Sequence, residues 1–176
     1  TWTTTAPNWG SASLTWVGDF NGDGKTDIAT AAAGNGSVWV KRSTGSSFVE
    51  EVWLPTGGAQ WFAYRSWVGD VNGDGLNDIV IFATAKPPLS LTYIGRLWVL
   101  RSTGSSFVQE DWSGSLYGQG PTDYIWAGDF NGDGKTDVAL ASGGTIWIWR
   151  SDGTKFVKET WTTTAPNWGS ASLTWV

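Results

Sequence analysis

The stretch Trp16-Val17-Gly18-Asp19-Phe20-Asn21-Gly22-Asp23-Gly24-Lys25-Thr26-Asp27 decides the fold, because the chain carries it three times. The second copy runs from Trp67 to Asp78 and the third from Trp126 to Asp137, with the first Asp of each 51 and then 59 positions on. A short apolar run follows each copy (Ile28-Ala29-Thr30-Ala31, Ile79-Val80-Ile81-Phe82, Val138-Ala139-Leu140-Ala141), then a Trp-centred run ending at Arg42, Arg101 or Arg150. A Gly-bearing turn then leads to Phe48, Phe107 or Phe156, and a Trp stands five residues later, at Trp53, Trp112 and Trp161. The runs are short, β-branched or aromatic, and punctuated by Gly, Ser, Thr and Asn, which is strand and hairpin chemistry. No window of 10–12 residues carries a convincing helical period.

Each repeat therefore predicts four antiparallel strands, and repeats of this length predict β-propeller blades, which cover their faces by packing on one another. The expected fold class is all-β, with three blades at about 13–53, 64–112 and 123–161 in a single partial propeller region spanning 1–176. Residues 1–17 are identical to residues 160–176, so the chain also carries a duplicated terminal strand. Two readings of that duplication stay open: a segment of a longer tandem array, or a device by which one chain completes a blade of another. With no initiator Met, the chain is expected to be a processed or excised segment.

Composition narrows the chemistry. Cys, His and Met are absent from the 176 residues, which removes disulfides, thiolate and imidazole catalysis and His- or Cys-ligated zinc. Fifteen Trp and 24 Gly with only 15% charged residues exclude a disordered chain. The net charge is −5, and nine of the Asp lie in the three copies of the motif, so three divalent cations would reverse its sign. Nucleic acid is not an expected partner. No apolar run reaches membrane-spanning length.

Asp-x-Asn-x-Asp-Gly-x-x-Asp sets oxygen donors at loop positions 1, 3, 5 and 9, and position 7 can add a backbone carbonyl. Hard oxygens in this number suit Ca²⁺, and Gly at position 6 allows the sharp turn. The expected ligands are Asp19, Asn21, Asp23, Lys25 (carbonyl) and Asp27; Asp70, Asn72, Asp74, Leu76 (carbonyl) and Asp78; and Asp129, Asn131, Asp133, Lys135 (carbonyl) and Asp137. About three Ca²⁺ are expected, one per repeat. Position 12 is Thr30, Ile81 or Leu140 rather than Glu, so these are not EF-hands.

At Gly18–Asp27, Gly69–Asp78 and Gly128–Asp137 the chain resembles the FG-GAP/VCBS repeat family, whose blades build integrin-type propellers with calcium loops. It resembles more distantly the propeller lectins of the Psathyrella velutina type, with their Gly-Asp loops and Gly-x-Phe hairpins. The resemblance implies a secreted, extracellular binding or adhesion role.

Nine Trp repeat in register (Trp16, Trp67, Trp126; Trp39, Trp98, Trp147; Trp53, Trp112, Trp161) and are expected to interlock between blades. Other aromatics lie in the connectors among hydrogen-bonding residues. Asn8, Trp9, Gln60, Trp61, Tyr64, Arg65, Tyr117, Gln119 and Tyr124 are the candidate glycan-binding residues, since aromatic faces stack on sugar rings and loops on a rigid scaffold carry recognition. The insertion Thr84–Gly95, with Pro87-Pro88, is expected to project as a loop. The functional expectation is a non-enzymatic, calcium-stabilised propeller that binds carbohydrate. The alternative is a self-assembling extracellular fibre or coat protein linked through its duplicated termini. An enzyme is disfavoured, because Glu50, Glu110 and Glu159 read as a solvated strand face and no carboxylate spacing suggests a glycosidase pair.

Overall fold

The computed structural model describes residues 12–32, 36–55, 63–85, 94–113, 116–117, 124–142 and 145–162. Of the duplicated stretches, only residues 12–17 and 160–162 lie within them. Thirteen strands and no helix are found among the described residues. The first sheet joins β1 (Ala12–Gly18), β2 (Asp27–Ala32), β3 (Val38–Ser43) and β4 (Phe48–Leu54) in chain order. The second joins β5 (Ala63–Gly69), β6 (Asp78–Ala85), β7 (Ile94–Ser102) and β8 (Phe107–Asp111), and a two-residue strand β9 (Leu116–Tyr117) adds to β7. The third joins β10 (Tyr124–Gly128), β11 (Asp137–Ser142), β12 (Thr145–Ser151) and β13 (Phe156–Thr162). Every ladder is antiparallel. The fold is therefore all-β, three four-stranded blades standing side by side without closing a ring.

The core lies between the sheets, and the strand sequences explain it. One cluster joins Trp16, Phe20, Ala29, Val38, Val40 and Trp53 of the first sheet to Ile79, Ile81, Leu100 and Phe107 of the second. The other joins Val71, Val80, Phe82, Leu97, Val99 and Trp112 of the second sheet to Ile125, Val138, Leu140, Trp149 and Phe156 of the third. Alternate residues of β6 thus serve opposite clusters, so Ile79-Val80-Ile81-Phe82 is apolar at every position. Phe107 meets Phe20 edge-on at 5.4 Å and Trp53 at 5.2 Å, and Phe156 meets Trp112 at 5.3 Å. Such ring pairs add about 0.5–1.5 kcal/mol beyond the area they bury.

The in-register tryptophans do not share one fate. Trp16, Trp53 and Trp112 are buried, and Trp67, Trp98, Trp126 and Trp147 are half-buried. Trp39 and Trp161 are 38% and 39% exposed. Trp39 lies on the side of β3 turned away from the second sheet, and Trp161 has no following sheet among the described residues. The insertion after Phe82 also differs from a simple loop. Its two ends extend the ladder, pairing Thr84 with Gly95 and Ala85 with Ile94; residues 86–93, with both prolines, lie outside the described residues.

Close approach of the sheets requires glycine at the end of the first strand. A Cβ on Gly18 would lie 2.7 Å from Val68 and 2.8 Å from Asn77, and one on Gly69 would overlap Thr136 Oγ1. On Gly128 it would meet only Phe130, at 3.8 Å. Gly69→Ala should therefore lower stability by about 1–3 kcal/mol in urea unfolding, while Gly128→Ala should leave it within about 0.5 kcal/mol.

Candidate functional site

The three loops between the first two strands of each sheet fold alike. In the first, Asp19 curls the chain around its own carboxylate. Oδ1 accepts the N–H groups of Gly22 (2.8 Å) and Asp23 (3.1 Å), and Oδ2 accepts that of Gly24 (2.7 Å). Gly22 and Gly24 take φ of 74° and 80°, which side chains seldom tolerate, and this turns the N–H groups inward. Asn21 Oδ1 accepts the Asp23 N–H, and Asp23 Oδ1 accepts the Lys25 N–H. Asp70 and Asp129 bind their loops in the same way.

The ninth-position aspartates lie beneath the loops and are fully buried. Asp27 accepts the Phe20 N–H at 3.3 Å and the Ser43 N–H at 2.8 Å; Asp78 accepts those of Val71 at 3.0 Å and Ser102 at 2.7 Å; Asp137 accepts those of Phe130 at 3.2 Å and Ser151 at 2.8 Å. Burial raises all three carboxyls above the usual range, helped by the neighbouring loop aspartates and opposed by these hydrogen bonds. Asp78 is pushed up to about 7.

The fifth-position aspartates are exposed and differ among loops. Lys25 Nζ lies 3.1 Å from Asp23 Oδ2, and Lys135 Nζ lies 3.1 Å from Asp133 Oδ2. Asn21 first and then Lys25 hold the Asp23 carboxyl below its usual value; the Lys135 N–H and ammonium do the same for Asp133. In the second loop Leu76 replaces the lysine, and Asp74 Oδ2 keeps only the bond from Asn72 Nδ2 at 2.9 Å, which Asn131 also makes to Asp133 at 3.1 Å.

The side chains at positions 1, 3, 5 and 9 of these loops offer oxygens from Asp and Asn, the set a hard divalent cation prefers. The residues thus fit Ca²⁺. Among the described residues no three acidic side chains gather at one point, so loading would draw the third- and fifth-position side chains out of their present bonds.

The loops also lock the sheets together, through residues the motif reading passed over. Asn77, at position 8, donates its N–H to the Asp19 carbonyl (2.9 Å), and its Oδ1 accepts the Asp19 N–H (2.9 Å). Thr136, at the same position, donates its N–H to the Asp70 carbonyl (2.7 Å). Ser102 Oγ donates to the Phe20 carbonyl (2.6 Å) and Ser151 Oγ to the Val71 carbonyl. The available signal was the Ser that follows Arg in every repeat: Ser43, Ser102 and Ser151.

The strand-face glutamates are likewise not merely solvated. Glu51 accepts from Arg42 Nη2 (3.1 Å) and Trp53 Nε1 (3.0 Å); Glu110 accepts from Arg101 and from Trp112 Nε1 (2.7 Å); Glu159 accepts from Arg150 Nε (2.9 Å) and Trp161 Nε1 (3.1 Å). Glu50 pairs with the buried Lys41 at 2.9 Å. A cleft of about 550 Å³ opens between the second and third sheets, lined by Asn72, Arg101, Glu110, Asp111, Trp112 and Thr154.

Of the connector residues, Asn8, Trp9, Gln60, Trp61 and Gln119 lie outside the described residues. Tyr64 and Arg65 stand on β5, where Arg65 is exposed; Tyr117 is on β9. Tyr124, on β10, is 38% exposed and stacks on Trp126 at 6.0 Å.

The sequence profile described as FG-GAP-like repeat matches residues 19–81 and 129–176. Integrin alpha-4 of Xenopus laevis is 28% identical over 141 residues, covering 70% of this chain and 13% of that protein. A solved lectin from Agrocybe aegerita, described as recognising non-reducing terminal N-acetylglucosamine, is 15% identical, with a TM-score of 0.40. That comparison covers 87% of this chain and 53% of the lectin. The chain thus spans well under two thirds of either protein.

Asp78→Ala should strand the buried Val71 and Ser102 N–H groups and cost about 2–4 kcal/mol in denaturant unfolding. Asp74→Ala, at an exposed residue, should cost under about 1 kcal/mol in the metal-free protein.

Proposed function

Because the chain belongs to the FG-GAP-like repeat family, we propose that it is a calcium-stabilised propeller module that binds carbohydrate outside the cell and catalyses no reaction. The observation that carries the sugar reading is the cleft between the second and third sheets. Its volume of about 550 Å³ is within the range of small-ligand pockets. Arg101 and Asn72 offer N–H donors, Glu110 and Asp111 offer acceptors, and Thr154 offers a hydroxyl that does both. Sugar hydroxyls donate and accept together, so donors and acceptors side by side in one cleft suit them. Exposed Tyr124 and Arg65, with Asn8, Trp9, Gln60, Trp61, Tyr64, Tyr117 and Gln119, remain candidates for further contacts.

In each loop the two outer Asp, the central Asp, the Asn and the seventh-position carbonyl would hold Ca²⁺, whose charge would relieve the crowding of carboxylates. Loops of this kind fill where calcium is abundant, which supports an extracellular setting. Among the described residues no helix is long and apolar enough to cross a membrane. The glutamates outside the loops are engaged. Glu51 is held below its usual pKa first by Trp53 and then by Arg42, and Glu159 first by Arg150 and then by Trp161, which is the wrong direction for a general acid.

A glycan array in excess Ca²⁺ tests the sugar reading. The protein should select a sugar class, and Arg101→Ala should weaken that binding at least about tenfold, a loss equivalent to about 1.4 kcal/mol. Arg42→Ala removes the matching pair of the first sheet, outside the cleft, and should change binding little. No sugar bound, or equal loss in both variants, would reject the proposal.

Thermal melting tests the metal reading separately. Excess Ca²⁺ should raise the midpoint by several degrees over chelator, as ligand linkage requires. Lys25→Leu should tighten calcium binding measured by calorimetry, because it removes the ammonium that competes for Asp23. An unchanged midpoint in chelator would reject calcium.

A further inference from the structure

The second loop grips the first through its closing residues. Asn77, at position 8, holds both backbone polar groups of Asp19: its N–H donates to the Asp19 carbonyl at 2.9 Å, and its Oδ1 accepts the Asp19 N–H at 2.9 Å. Asp19 is the residue whose carboxylate curls the first loop, and it is the first expected ligand there. Asn77 itself stands between two expected ligands of the second loop, the Leu76 carbonyl and Asp78. Leu76 adds a second contact. A Cβ on Gly22 would lie 2.7 Å from Leu76 Cδ2, so the leucine lies over the glycine whose N–H goes to Asp19 Oδ1.

The second and third loops are joined by less at the same place. Thr136 keeps the N–H bond to the Asp70 carbonyl, at 2.7 Å, but among the described residues its side chain makes no bond to the Asp70 backbone. Position 8 of the first loop is also threonine, Thr26. The amide of Asn77 is therefore a departure from the repeat, and it falls where one loop touches another.

The loops have to rearrange to take up a cation. Asn21 Oδ1 and Asp23 Oδ1 are bonded to N–H groups of their own loop, and among the described residues no three acidic side chains gather at one point. Ordering a loop around an ion costs conformational freedom. Part of that cost is shared between the first two loops. Fixing the Leu76 carbonyl and Asp78 fixes Asn77 between them, and through Asn77 the backbone of Asp19.

We infer that Asn77 is a positioning residue that couples the first two loops, so that filling the second with Ca²⁺ raises the affinity of the first. Sites that share an ordering cost bind cooperatively even when their ligands do not touch. Repulsion between the two ions opposes the effect, and physiological salt screens it over about 8 Å. By reciprocity the first loop strengthens the second by the same factor. The inference rests on the calcium reading and is independent of sugar binding.

The test is a titration of the full chain with Ca²⁺ alone at physiological salt, followed by NMR at the backbone amide signals of Gly24 and Gly75, one in each loop. Asp74→Ala removes a ligand of the second loop, and its carboxylate bonds only within that loop, to Asn72 and Leu76. In the otherwise native chain, Asp74→Ala should raise the calcium concentration at the Gly24 midpoint by about fivefold or more, the low end of ordinary site coupling. In an Asn77→Thr background the same change should move the Gly24 midpoint by less than about twofold, the mark of uncoupled sites. Asn77→Thr leaves every expected ligand of both loops in place, and threonine already stands at position 8 in the other two loops. If that variant fails to melt cooperatively, Asn77→Ala takes its place under the same expectations. A smaller shift in the native background, or a shift that survives loss of the Asn77 amide, would overturn the inference and leave the calcium reading intact. Glycine signals that do not respond to Ca²⁺ at all would reject both.

Discussion

A buried carboxylate joins three pieces of chain in every sheet. Asp27, Asp78 and Asp137 start the second strand, yet each also accepts an N–H from the loop above and one from the Ser ending the third strand. Burying a charge is costly unless hydrogen bonds compensate, and these carboxylates spend both oxygens on backbone groups that would otherwise be stranded. The loop cannot lift away from the hairpin without exposing both. That constraint sets the height of the loop, and therefore the position of everything on its rim.

The rim in turn sets the spacing of the sheets. With the loop held down, the carbonyls of positions 1 and 2 point sideways, where the next sheet supplies an N–H and a Ser hydroxyl. Glycine at the end of the first strand lets the backbones come near enough for those bonds. The large side chains then interdigitate below. Polar contacts at the rim fix register, and the apolar clusters between the sheets supply most of the favourable free energy. The acidic loops and the sheet packing are one construction: changing the charge within a loop acts on the strand that carries its neighbour.

Much of this was legible in the sequence. Three copies of the Asp loop, the alternating Trp runs and the Gly turns lead to four-stranded antiparallel sheets without help from coordinates. What the pattern does not encode is burial. Trp53, Trp112 and Trp161 stand at the same distance from the hairpin Phe and have the same Glu two residues before them, but the first two are covered and the third is not. Exposure depends on whether another sheet stands alongside, a property of order in the stack. The latch residues escaped for a related reason. Ser102 and Ser151 look like ordinary turn residues until a carbonyl from the neighbouring sheet is set beside them. The glutamates looked solvated because the Arg that each one binds is distant from it along the chain and adjacent only across the ladder.

The same logic separates scaffold from recognition surface. A repeated contact, such as Arg–Glu–Trp on the fourth strand, holds each sheet in the same way and so cannot distinguish one inter-sheet groove from another. Specificity has to come from positions where the repeats diverge. Leu76 stands where the other loops have lysine, Asp111 stands where Val52 and Thr160 occur, and Arg96 reaches Asp111 from the lengthened β7. These departures cluster in the second sheet, beside the cleft that its Arg101 and Asp111 share with Thr154 of the third. The sheet with apolar residues on both faces is the most fully supported of the three, and it is the one on which polar variation at the rim disturbs packing least.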